Sequence, residues 1–215
     1  YREWARHGGI LSDFAASWYR RQVVSVQHGV GERGAKSRVT GEPVAGPETL
    51  PEEILRKNRV DHAADLLRHR LIDDYYRARL PELEKMTVPL LSAANWGGQG
   101  LHPRGNFEGW LRAGSTRKWL EVHGDTHFSH FYTNYGQRLQ KKFFDYFLKG
   151  EENDWNQQPR VSLNIRRPGE KFSLRAENEW PLARTQWTKY FLHAGGHRLS
   201  TEKPGVATTI AYETM

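Results

Sequence analysis

Three histidines, His123, His127 and His130, fall within eight residues of the stretch WLEVHGDTHFSHFY, 119–132. Imidazoles so spaced serve two chemistries. They ligate a divalent metal, or one of them takes a proton from a nucleophile and returns it to a leaving group. A third outcome is structural, with polar side chains closing a buried strand. A metal-binding pair at i, i+4 needs a helix to bring both rings to one face, and Gly124, between His123 and His127, marks a loop. No carboxylate that would orient a metal-bound imidazole is identifiable from sequence. No metal ligand and no cofactor are therefore assigned, and a metal hydrolase built on His123, His127 and His130 stays as an alternative.

A general base needs a nucleophile to serve. The chain has no cysteine, which excludes a cysteine nucleophile and thiolate metal sites. That composition suits a reducing cytoplasm, the localisation expected. A catalytic serine on a sharp strand-to-helix turn carries flanking glycines, G-x-S-x-G. The contexts GILSD, AASWY, GSTRK and FSLRA all lack them. The glycines of WGGQG, 96–100, have neither the Lys-Ser/Thr ending of a phosphate loop nor dinucleotide spacing, so they read as a tight strand-to-helix turn.

Net charge is +7 with a pI near 9.7, but the basic residues are scattered among acids and form no run. A nucleic-acid partner is not expected. No stretch approaches the roughly 18–20 apolar residues of a membrane span, so no membrane partner is expected either. Hydrophobic residues make up 37% and aromatics 12% of the 215 residues, enough for a sizeable core.

Three regions position these residues. Residues 1–86 are charged and helical around a Gly/Pro-rich excursion. From Thr49 a capping box (Thr49, Glu52) with Pro51 predicts a helix, with Ile54, Leu55, Val60, Ala63, Ala64, Leu67 and Leu71 at helical spacing. Residues 87–150 alternate TVPLLSAAN, a helix through NFEGWLRAG, KWLEVH, and the periodic YGQRLQKKFFDYFLKG, with Leu139, Phe143, Phe144 and Phe147 as its apolar stripe and Gly150 as its left-handed cap. Strand, helix, strand, helix predicts an α/β fold with a parallel sheet. Residues 151–215 hold short strand patterns, VSLNIRR, FSLRAE, TKYFLHA and TTIAYET, as in the opening of a β-sandwich.

The segments VPLLSAANWGGQGLHPRGNFEGWL, KWLEVHGDTHFSHFY, LQKKFFDYFLKGEENDW and PRVSLNIRRPGEKFSLRAENEWPLARTQWTKYFL occur in an order that resembles the CocE/NonD hydrolases, relatives of the X-prolyl dipeptidyl peptidases. The resemblance runs from about Thr87 to Leu192. It implies a helical cap segment over 1–86, the C-terminal strands and helix of an α/β-hydrolase core over 87–150, and the beginning of a C-terminal jelly roll, incomplete, over 151–215. It also implies acyl transfer from an ester, amide or peptide substrate to water through a serine upstream of Tyr1, so that the 215 residues are a fragment, inert alone.

His127, in the loop after KWLEVH, matches the family's general base. The family's acid lies about two residues after the Trp that ends the preceding strand, where this chain has Gly98; Asp125 and Glu108 are the substitute candidates. Trp96 and His130 are candidate substrate-binding residues, and Trp110 and Trp155 are either pocket or core. The β domain is compatible with a homo-oligomer. A non-enzymatic carbohydrate- or protein-binding module in the β-rich tail is the competing class.

Overall fold

The computed structural model describes residues 5–7, 9–98, 101–169 and 171–211. The N-terminal region holds a small antiparallel ribbon, β1 (Arg6–His7) and β2 (Ile10–Leu11), followed by short helices α1 (Phe14–Trp18), α2 (Glu52–Lys57), α3 (His62–Arg68) and α4 (Asp74–Arg77). The helical pattern that begins at Thr49 is thus divided in three. Asp61 accepts a hydrogen bond from the Ala64 amide and Asp73 from that of Tyr75, so each side chain starts a new helix. The expected capping box does not form. Thr49 bridges Val30 instead, and α2 begins after Pro51 without a side-chain cap. The buried leucines of this region are Leu55 and Leu66; Leu67 and Leu71 face solvent, which corrects the expected stripe.

The core is built by β3 (Leu90–Asn95), α5 (Pro103–Arg112), β4 (Lys118–His123), α6 (Ser129–Tyr132), α7 (Asn134–Phe144), β5 (Val161–Arg167) and β6 (Lys171–Glu177). The strands form one sheet in the order β3-β4-β5-β6. The first two pairings are parallel and the last is antiparallel. Alternation along β4 separates two cores. Leu120 and Val122 pack with Ala94, Val161, Leu163 and Trp110 of α5, while Trp119 packs with Phe143 of α7 and with Trp155. Helices therefore cover both faces, as a parallel sheet requires.

Beyond Phe144 the chain makes a wider turn to Lys149 and ends at Gly150, φ 72°, in the expected left-handed cap. The strands VSLNIRR and FSLRAE form as expected, but β5 pairs directly with β4 (Leu120↔Val161, Val122↔Leu163) and so extends the core sheet. Farther on, β7 (Phe191–His193) and β8 (Arg198–Ser200) make a separate hairpin. In the last expected strand, TTIAYET, residues 208–211 are not in a strand and 212–214 lie outside the described residues. No described helix is long and apolar enough to cross a membrane.

Candidate active site

The parallel strands β3 and β4 end side by side at Asn95 and His123. Beyond that edge two loops meet. Asn95 Nδ2 donates to the Asp125 carbonyl at 3.0 Å, and a Cβ on Gly97 would stand 2.2 Å from that same carbonyl oxygen. Glycine at 97 is what lets the loops touch. Asp125 turns the chain at φ 56°, in the left-handed region.

His127 follows on the outside of this turn, exposed, and no described residue hydrogen-bonds its ring. The ring packs on Phe128, and His102, at the start of α5, meets it edge-on at 5.0 Å between centroids. His127 borders two cavities. One, of about 400 Å³, lies toward α7, with Leu91, Leu139, Phe143 and Phe144 as apolar walls and Asn95 and Glu121 as polar ones. The other, of about 830 Å³, is walled on the far side by Phe14, Trp18, Val23 and His62 of the N-terminal region.

The remaining sequence candidates are distributed differently. Glu108 is exposed on α5, with Arg104 at 3.9 Å, and borders neither cavity. Asp125 contributes its backbone carbonyl to the loop contact. At position 98 a Cβ would lie 2.6 Å from Asn95 Oδ1, so an aspartate there would require Asn95 to move. Trp96 points away from the histidines. Its Nε1 donates to the Asn164 carbonyl at 2.7 Å, its ring packs on Phe107, and it borders a third cavity with Trp180. Trp110 and Trp155 are buried in the two cores.

His123 and His130 come together without His127. Their rings stack 4.2 Å apart and 4° from parallel beneath the loop. The residue that joins them is Glu121, whose side chain is only 4% exposed; its Oε2 accepts from His123 Nδ1 at 2.8 Å, and its Oε1 lies 3.7 Å from His130 Nε2. Sequence reasoning missed this carboxylate, yet a signal was present: residues 121 and 123 are two apart on a strand and must share a face. Also missed were His102 and Tyr135. The Tyr135 ring sits 4.9 Å from His130, and burial, with Glu121 nearby, pushes its phenol up to about 12.

Burial lowers the pKa of His130, opposed by Glu121. The folded protein thus holds this ring neutral where the unfolded chain already binds a proton, near the ordinary value of 6.5. Stability is therefore present above 6.5 and declines as pH falls through that value toward the lower folded one. The urea midpoint should drop between neutral and mildly acidic pH, and His130→Ala should flatten that slope. A slope unchanged in the variant would show that other groups cause it.

No protein-family model and no curated protein matches the chain. Two crystal structures of a CocE/NonD family hydrolase from Staphylococcus aureus do match, each with a TM-score of 0.64 and 37% identity over 67% of this chain. The chain resembles the CocE/NonD hydrolases in structure as well as in sequence. It spans 26% of the length of the S. aureus hydrolase chains. The parallel core of β3, β4 and β5, with helices on both faces, fits an α/β-hydrolase-like fold of the kind this CocE/NonD neighbour supplies.

Proposed function

We propose that the chain is part of a serine hydrolase in which His127 is the general base, with residues 1–86 as cap, 87–150 as the C-terminal part of the core and 151–215 as the start of a jelly roll whose first strands, β5 and β6, continue the core sheet. The observation that carries this reading is the placement of His127. It stands in the loop beyond β4, where the parallel strands β3 and β4 end, exposed between a cavity over the sheet and one under the N-terminal helices. A base needs that freedom to reach both nucleophile and leaving group. In this reading the serine attacks the carbonyl of an ester, an amide or an X-prolyl peptide. His127 takes its proton and passes it to the leaving group, and water then releases the acyl group by the reverse path. In this reading the nucleophile and most of the oxyanion hole lie outside the 215 residues, which carry no G-x-S-x-G turn and span 26% of the S. aureus hydrolase chains.

Labelling with a fluorophosphonate tests this. The intact protein should take one label on a serine outside the 215 residues. The isolated chain should take none, and it should not release nitrophenol from short acyl esters at enzymic rates. A labelled serine within the chain, or an intact protein that is active yet inert to the reagent, overturns the reading.

A further inference from the structure

On the α7 face of β4, under the His127 loop, Glu121, His123 and His130 direct polar atoms toward one another. Glu121 Oε1, His123 Nε2 and His130 Nε2 are all buried and all without a hydrogen-bond partner among the described residues. A single orphaned polar atom is an ordinary defect; three on neighbouring side chains call for a common occupant. One donor atom from each of the three residues lies within 4.8 Å of the others.

The distances favour an ion. At 3.7 Å, His130 Nε2 and Glu121 Oε1 are too far apart for a hydrogen bond. Two ligands each about 2.1 Å from one zinc ion stand roughly 3.4–4.2 Å apart, depending on the angle between them. The His123 ring is already oriented. With Nδ1 donating to Glu121 Oε2 at 2.8 Å, a neutral ring leaves its lone pair on Nε2, the tautomer that a carboxylate imposes on metal-bound histidines.

We propose that Glu121, His123 and His130 form a binding site for one divalent transition-metal ion, with zinc best suited to two imidazoles and a carboxylate. The 400 Å³ cavity bordered by all three leaves room for water at the remaining position. As the rings stand, 4° from parallel, one ion cannot lie in both ring planes. Binding therefore turns the His130 ring, which sits on the four-residue α6, while His123 stays fixed in the strand. His123 and His130 bracket the loop that carries His127, so the ion would tie the two ends of that loop together. The site stands independently of the hydrolase reading, because it uses neither His127 nor a serine.

The test is a titration of the chelator-stripped chain with Zn²⁺ by calorimetry and with Co²⁺ by visible absorption. One ion per chain is expected, with Co²⁺ bands of a four- or five-coordinate site. His130→Ala and Glu121→Gln should each weaken binding by about 100-fold, the upper end of what even an outer-shell partner contributes. His28→Ala, at an exposed histidine 3.2 Å from Glu48, should leave it unchanged. If Glu121→Gln fails to fold, His130→Ala decides alone, since that side chain is a fifth exposed. No saturable binding in the micromolar range overturns the proposal and leaves the three orphaned atoms to water. Binding that survives His130→Ala overturns it too, by placing the ion elsewhere among the ten histidines.

Discussion

If His127 is the proposed general base, replacing it with alanine in the intact protein should lower kcat by roughly 10²–10⁴-fold, the contribution of a positioned base. The KM changes little, because the ring is lost as a proton acceptor rather than as a binding wall. Folding is spared: the side chain is exposed and no described residue hydrogen-bonds it. Matched assays of kcat, KM and thermal midpoint check all of these together. A variant that keeps its kcat removes His127 from the reaction, whereas one that loses both kcat and its thermal midpoint means the loop was structural. The same substitution leaves the proposed ion site intact, so metal binding and catalysis separate in one variant.

Trp155→Ala costs about 3–5 kcal/mol of stability, the range for deleting a large buried aromatic. Trp155 is fully buried, with ring centroids 5.2 Å from both Trp119 and Phe143. Its neighbourhood cannot collapse easily, because the segment around it is tied to α7: Asn153 Nδ2 donates to the Lys142 carbonyl at 2.8 Å and Lys142 Nζ to the Asp154 carbonyl at 3.2 Å. A loss of that size is comparable to much of a domain's net stability, so the urea midpoint should fall steeply. Trp155→Phe keeps most of the apolar area and breaks no hydrogen bond among the described residues, where the indole nitrogen has no partner; it should cost far less. A loss below about 1 kcal/mol for the alanine variant, the level of an ordinary substitution, would mean that Trp155 is not the centre of this cluster.

Periodic patterns and local caps were legible in the sequence. KWLEVH, the helix through NFEGWLRAG and the Gly150 cap depend on neighbours within one or two turns and formed close to where the residues placed them. That helix begins three residues earlier, at Pro103, and of the expected stripe Leu139, Phe143 and Phe147 pack inward while Phe144 is half exposed. Other features were decided by contacts distant in sequence. Thr49 holds the residues of a capping box, but the strand bridge to Val30 competes for it and prevails. VSLNIRR reads as a strand on its own merits, yet only pairing across some forty residues makes it the neighbour of KWLEVH.

The site divides along the same line. The sequence by itself determined that a histidine-rich loop follows a buried strand, and that no cysteine or glycine-flanked serine accompanies it. Tertiary structure decided which histidines belong together. Spacing grouped His123, His127 and His130, but the fold turns His127 outward and puts Glu121 in its place beneath the loop. It likewise filled the space beside Gly98 with the Asn95 side chain and turned Trp96 toward Asn164. The physical reason is that a side chain's direction on a strand follows from local alternation, whereas what it meets there depends on elements brought from elsewhere in the chain.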